Sequence, residues 1–437
     1  MMDFASEEPC PREDRHLQPY LVEALFRGGR ALPAEAPRCG NARDAMKVLI
    51  AGAGLGGLTA AACLIQRGHK VRIYEQAPEL GEVGAGIQLS ANSVKVLDTL
   101  GLRERLDAVA VRPLAYEFRR FDTGEMLHRV PLNEDGTHER LHGTPYYHVH
   151  RRDLHGLLAE VVQRLDPDCI TLSARTTGFT ETGEAARVHL ADGREDDGDV
   201  LVGADGIKSV VRGLIIGPAR PVYTGQAAWR VTVPAERLPA AVSRPVVTVW
   251  CGPRNHAVVY MLRGGSLLNF VGCHERDWEE ESWTARRPWS ELQQDYSGWH
   301  PEVQAIIDAM DHDQCFRWAL NSRELHERWS TDRATLLGDA IHPTLPYMAQ
   351  GANMAIEDGA VLARCLDGGE PVPDALRRYE RNRAPRTSRI VNESTEHGEL
   401  FHITDAAEMR EAFIRKDIAR SRREWLYCYD PMTVALP

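Results

Sequence analysis

No C-x-x-C pair occurs among the nine cysteines, which are scattered from Cys10 to Cys428. Neither a disulfide framework nor a zinc site is indicated, so no metal is expected and a reducing cytoplasm fits best. No uninterrupted apolar run reaches the ~18 residues that a spanning helix needs, and the amino terminus lacks the apolar core of a signal peptide. A soluble chain with no membrane partner is expected. Positive charge is also in deficit, with 52 Lys and Arg against 63 Asp and Glu for a net charge of −11. Long polyanions are bound by clustered cations, so nucleic acid is not an expected partner. Internal repeats and low-complexity tracts are missing as well. What is present is 437 residues, 43% hydrophobic and 26% charged, enough for two or more ordinary cores.

Residues 1–45 are rich in Pro, Glu and Arg and read as a tail, either sequence upstream of a start at Met46 or a flexible extension. From Lys47 the pattern sharpens. Lys47 to Ala51 reads as a short buried strand, followed by Gly52-Ala53-Gly54-Leu55-Gly56-Gly57, a helix through Ala60 to Gln66, and a second strand from Lys70 to Tyr74. Glycines at 52, 54 and 57 supply a tight turn, a close approach of backbone to a pyrophosphate, and close helix packing. Glu75 sits where a carboxylate accepts bonds from ribose hydroxyls, and its charge disfavours a 2′-phosphate. With strand, turn, helix and acidic residue all in place, this is a complete βαβ nucleotide fingerprint.

Two further strand ends deliver an Asp to a Gly turn. Val188 to Leu190 and Asp199 to Val202 read as a hairpin about Asp192-Gly193, running into GADGIKSVVR from Gly203 to Arg212. Ala334 to Leu337 reads as a buried strand, broken by Gly338-Asp339, with a long helix behind Gln350-Gly351 whose first N–H groups face any nearby anion. Glu357 and Asp358 suit the positive end of that helix. Between these motifs lies a Gly-rich loop, Gly84 to Leu89, before a helical run from Ser93 to Leu100, and Arg151 opens a helix reaching Leu165. The middle third changes character: Ala228 to Val233, Val246 to Trp250, Ala257 to Leu262 and Leu267 to Val271 read as four strands of a separate antiparallel sheet, which Cys315 to Leu320 rejoins. After Asp358 the chain reads as helical, punctuated by Pro373, Pro385 and Pro431.

The fingerprint with Glu75, the GADGIKSVVR segment and GDAIHPTLPYMAQGANMAIED from Gly338 to Asp358 together resemble the single-component FAD-dependent aromatic hydroxylases, the p-hydroxybenzoate and salicylate hydroxylase family. The strand AWRVTVP and the ending from Trp425 to Asp430 resemble the salicylate, 3-hydroxybenzoate and 6-hydroxynicotinate enzymes. The fold implied is α/β, a Rossmann-like FAD-binding domain over 46–220 and 321–400, with an inserted antiparallel-sheet substrate domain over 221–320 and a helical C-terminus over 401–437.

The resemblance assigns Gly52, Gly54, Gly56, Gly57, Glu75 and Gln76 to the adenosine half of FAD, Arg151 to its phosphates and the Thr176 backbone to adenine. It gives Asp339 the ribityl chain and Gly351, Ala352 and Asn353 the flavin ring. Asp205, Gly206 and Arg212 belong to a motif used for both FAD and the nicotinamide nucleotide. No second G-x-G-x-x-G is present, so NADH or NADPH is expected to bind transiently. The implied reaction hydroxylates a small hydroxylated aromatic acid with O2 through a flavin hydroperoxide, in a monomer or homodimer. Gln88, Trp229, Tyr260, Pro346 and Tyr347 are the expected pocket residues, with Tyr347 placed to assist ionisation of a ring hydroxyl. Related hydroxylases carry His where this chain has Gln88, Trp229 and Tyr347, which leaves the base open. Arg230, opposite in parity to Trp229, is expected to point away from the pocket. His256 and His274, near strand ends, are read as surface residues, and His342 as a loop-fixing group beside Asp339. Epoxidation, hydride transfer, or nucleotide binding without catalysis on the same fold are the alternative readings.

Overall fold

The computed structural model describes residues 45–81, 86–277 and 286–437. Residues 1–44 of the expected tail and the first two residues of the Gly-rich loop, Gly84 and Ala85, lie outside them. Near-continuous apolar runs make strands that are covered on both faces. Lys47–Ala51 pairs in parallel with Lys70–Tyr74 on one side and Val200–Gly203 on the other. Ala334–Leu336 and Ile170–Thr171 complete a five-stranded parallel sheet as its edges. Its centre therefore brings three strands from distant parts of the chain to one carboxyl edge, where open α/β sheets bind ligands.

The sequence-derived hairpin is corrected in its second strand. Ala186–Leu190 turns back onto Glu195–Gly198, while Val200–Gly203 crosses into the parallel sheet beside Lys47–Ala51. The run VLVG is buried throughout, which a two-sided parallel position requires and a solvated hairpin does not.

A second sheet has seven strands in the order Phe316–Ser322, Val222–Pro234, Leu267–Glu275, Asn255–Leu262, Val247–Gly252, Ala115–Arg120 and Met126–Pro131. Four of its strands match the expected antiparallel set. The last two come from before residue 221, and Ala115–Arg120 joins Val247–Gly252 in parallel. One face, carrying Trp250, packs against Tyr296 and Ile306, and the other against Tyr347, Phe401 and Phe413. Gly351–Leu366 and Val372–Phe401 form the main helices of the carboxyl-terminal part. The second of these runs through Pro385 rather than stopping at it, because ion pairs from Arg383 and Arg386 on either side hold it against its neighbour.

Those pairs also correct the reading of Glu357 and Asp358, which lie beyond the first turn and are completely buried. Glu357 accepts from Arg386 Nη2 at 2.8 Å and pairs with Arg383 Nη1 at 2.6 Å. Asp358 accepts from Arg383 Nε at 2.7 Å, from the Gly338 N–H at 2.9 Å, and lies 2.6 Å from His342 Nε2. Burial pushes the Asp358 carboxyl up, but His342 and Arg383 override it and hold it down at about 2. Replacing Asp358 by Asn leaves the Arg383 cation under-compensated, and a loss of roughly 3–5 kcal/mol is expected in denaturant unfolding. Because its folded value lies below the ordinary 3.8, the Asp358 contribution is complete above that pH and is lost as pH falls towards 2. Acid titration of wild-type stability should show this loss, and the Asn variant should lack that part of it.

Candidate active site

The turn after the first strand is built by sterics. Gly52 has φ +104°, and a Cβ there would sit 2.5 Å from the Ala204 carbonyl oxygen. A Cβ on Gly57 would collide with the Gly52 carbonyl oxygen, and one on Gly56 would lie 2.6 Å from Leu337 Cδ1. Only glycine lets the helix Leu55–Gln66 approach both strand ends this closely. Glu75, at the tip of Lys70–Tyr74, accepts from the Ala53 N–H at 2.7 Å and the Ala77 N–H at 2.8 Å. Its carboxylate thus pins the turn from the side, with Gln76 exposed beside it.

A cleft of about 310 Å³ runs from this turn across the parallel-sheet edge to the large sheet. Gly54, Gly56, Gly57, Arg151, Asp339, Gly351 and Ala352 line its nucleotide-fold side. Gln88, Tyr260, Pro346 and Tyr347 line its sheet side. These distant residues, singled out in the sequence, meet in one cavity. Asp205 and Asn353 stand behind its wall. Asp205 accepts from Ser209 Oγ at 2.5 Å and the Val210 N–H at 2.7 Å, so its side chain shapes the turn that puts Ala204 and Gly206 into the lining. Asn353 donates to the Gln88 carbonyl at 2.9 Å and accepts from the Ser90 N–H at 3.0 Å, locking the Gly351 helix to the strand that carries Gln88. Thr176 is buried and is not among the residues lining the cleft; its Oγ1 lacks a hydrogen-bond partner among the described residues. Arg212 is likewise buried, inside the short helix that Ser209 caps.

The expected faces of Trp229 and Arg230 are inverted. Trp229 points into the opposite core, fully buried, and donates from Nε1 to Asp295 Oδ2 at 2.8 Å. Arg230 therefore lines the cleft, its guanidinium 4.3 Å over the Trp318 ring. Alternation holds, but the indole N–H found its acceptor on the far side. His256 is corrected too: it is 1% exposed and lines the cleft, whereas His274 is buried on the Trp229 side. A signal for His256 existed, since His256, Val258 and Tyr260 share a strand face by the period of two. Gln88 is backed by two buried tyrosines that sequence reasoning missed. Tyr116 and Tyr146 both donate to its Oε1, the latter at 2.9 Å. Tyr347 donates to Gln226 Oε1, and burial pushes its hydroxyl well above the usual tyrosine range.

This architecture matches known proteins over most of its length. The family model described as an FAD binding domain covers residues 45–394. The 3-amino-4-hydroxybenzoate 2-monooxygenase of Streptomyces cremeus is 39% identical over 387 residues, spanning 87% of this chain and 95% of that protein. The 3-hydroxybenzoate 6-hydroxylase of Polaromonas naphthalenivorans is 37% identical over 391 residues, 87% and 96% of the two chains. The crystal structure of Klebsiella pneumoniae HpxO with FAD and uric acid superposes with a TM-score of 0.75 at 26% identity, covering 86% of this chain and 96% of that one. The chain belongs to the FAD-binding-domain family. Within it, this is a single-component FAD-dependent aromatic monooxygenase that draws its electrons from NADH or NADPH.

The residues present fit that cofactor. A turn that any Cβ would fill and the Arg151 side chain line the same elongated cleft. Substituting Gly57 by Ala forces apart the turn and the Gly52 carbonyl. The purified variant is expected to lose its flavin absorbance by about tenfold or more, equivalent to at least ~1.4 kcal/mol of binding.

Proposed function

We propose that the chain hydroxylates a small aromatic acid bearing both a carboxylate and a ring hydroxyl, of the hydroxybenzoate or aminohydroxybenzoate type. The observation that carries this reading is Arg230. Its Nε is buried without a partner, and among the described residues no carboxylate pairs with it. Burial pulls the guanidinium down to about 10, so it remains a cation at neutral pH. A partly desolvated cation stacked on an indole, with nothing anionic opposite, is matched by a planar carboxylate ligand. Val258, Val271, Trp318 and Leu320 supply apolar walls for a ring between Arg230 and the nucleotide side.

FAD, held in this cleft, would supply the redox chemistry that couples reduced nicotinamide and O2 to ring hydroxylation. The chain's own groups do the rest. Gly52 to Gly57, Arg151, Asp339, Gly351 and Ala352 hold the cofactor. Arg230 anchors the substrate carboxylate, while Tyr260, Tyr347 and Gln88 orient the ring, and the apolar walls keep water out. Relatives named for 3-amino-4-hydroxybenzoate and 3-hydroxybenzoate support the substrate class. Reduced nicotinamide as electron source and the unpaired thiols of the described cysteines both fit a reducing cytoplasm.

The test follows NAD(P)H oxidation and product mass against a panel of hydroxybenzoates and their methyl esters. Stimulation by the free acids and not by the esters is expected. Arg230→Met is expected to weaken binding of the acids roughly 10- to 100-fold, the equivalent of ~1.5–3 kcal/mol for a charge-assisted hydrogen bond, at unchanged flavin content. Equal response to acid and ester in the wild type would overturn the carboxylate assignment.

A further inference from the structure

Two tyrosines that line the cleft are laid against glycines. A Cβ on Gly86 would sit 2.5 Å from Tyr260 Cε2, and one on Gly398 would sit 2.6 Å from Tyr347 Cε2 and 2.8 Å from its Cδ2. Gly86 itself lines the cleft. Gly398 is not in the lining but buried in the last turns of the Val372–Phe401 helix, on which the Tyr347 ring rests.

Glycine is among the poorest residues for a helix interior, so its presence there has a reason to be found. It does not stop the helix, which continues to Phe401 with His402 as its cap. Nor is it a general tolerance of gaps. Gly156, inside the Arg151–Leu165 helix, has open space where its Cβ would be, whereas the three atoms nearest a Cβ at 398 all belong to Tyr347. The space that a side chain at 398 would fill is taken by that one ring.

The ring is also held on its other sides. Ser394, one turn earlier on the same helix face, donates to the Leu345 carbonyl at 2.7 Å and fixes the loop that carries Tyr347. The Tyr347 hydroxyl donates to Gln226 Oε1, while His256 meets the ring edge-on at 4.9 Å and Phe401 at 6.5 Å. The cleft lies on its remaining side. A side chain at 398 would therefore drive the ring roughly 1 Å into the cleft before ordinary carbon contact at ~3.5 Å was regained.

We propose that Gly398 is a specificity-determining residue, which by lacking a side chain lets Tyr347 recline on the helix and leaves the cleft wide enough for an amino group beside the substrate's ring hydroxyl. An amino group in place of a ring hydrogen extends the outline of an aromatic acid by about the distance that the ring would otherwise advance. Close-packed walls do not yield that distance freely, so the width is a filter. The inference deepens the substrate reading above and rests on it, with Arg230 taking the carboxylate and Tyr347 among the groups that orient the ring. It names the aminohydroxybenzoate type within that class and places its selection on a helix outside the cleft.

The experiment compares wild type, Gly398→Ala, Tyr347→Leu and the double variant, each loaded with FAD. Dissociation constants for 4-hydroxybenzoate and 3-amino-4-hydroxybenzoate are read from flavin difference spectra. In Gly398→Ala the aminated acid is expected to bind about tenfold or more weakly, and the unsubstituted acid to change by less than about threefold. Once Tyr347→Leu has removed the ring, adding Gly398→Ala is expected to change either constant by no more than about twofold, because the new methyl group then meets no ring. Equal loss for both acids in Gly398→Ala would overturn the inference, as would the same selective loss in the Tyr347→Leu background. Should Gly398→Ala alone not hold flavin, Tyr347→Leu carries the test by widening the same wall. It is expected to strengthen binding of the bulkier 3-acetamido-4-hydroxybenzoate about tenfold relative to the aminated acid, and no such gain would overturn the inference. Failure of the underlying substrate reading shows separately, as a wild type that gives no difference spectrum with either acid, and the inference would fall with it.

Discussion

Two adjacent carboxylates with no contact with water, Glu357 and Asp358, hold the carboxyl-terminal half of the site in place. Removing ions from water is expensive, and such a cluster persists only when each oxygen and each guanidinium N–H finds a partner. Here the partners come from four directions: Arg383 and Arg386 from the following helix, Asn92 from the helix at the Gln88 strand, His342 from the loop, and the Gly338 N–H from the strand end. The last contact matters most for function. By taking the Gly338 N–H, Asp358 fixes the turn that presents Asp339 to the cleft, while the same helix presents Gly351 and Ala352 at its start. Cofactor cradle and structural core are thus joined through one helix, with its polar staple buried two turns from its ligand-facing end.

The large sheet works by a simpler rule. Successive side chains alternate, so a single choice of face sorts each strand into cleft and far core. On Val222–Pro234 that choice is made by Trp229, whose indole is buried against Asp295 and beneath the Arg317 guanidinium. Arg230 is consequently turned into the cleft, where among the described residues no carboxylate pairs with it. Packing on one side of the sheet therefore generates recognition on the other, and the neighbouring strand repeats the logic, its His256, Val258 and Tyr260 sharing the cleft face.

Much of the nucleotide fold was legible because its determinants are local. A Gly at φ +104°, a carbonyl that leaves no room for a Cβ, and an acidic residue at the tip of the next strand are short-range requirements that leave a pattern over some two dozen residues. The long helix from Arg151 to Leu165 was likewise readable from its ends. The hairpin partner of Ala186–Leu190 was not, because Val200–Gly203 and its neighbours offer equally good turns and apolar runs, and only the vacancy beside Lys47–Ala51 decides between them. Ala115–Arg120 and Met126–Pro131, a local antiparallel pair, escaped assignment to the large sheet for the same reason, since they join it only through the pairing of Ala115–Arg120 with Val247–Gly252, which spans more than a hundred residues.

The amino-acid order alone determined the class of ligand, the three strand ends that meet it and the family to which the chain belongs, since backbone sterics and motif chemistry act between near neighbours. Tertiary structure decided which side of each strand sees the cleft, why Asp205 and Asn353 serve the wall rather than the lining, and how Tyr347 comes to touch Gln226. Those outcomes depend on which partner reaches a buried polar atom first, and that partner is supplied by a distant segment.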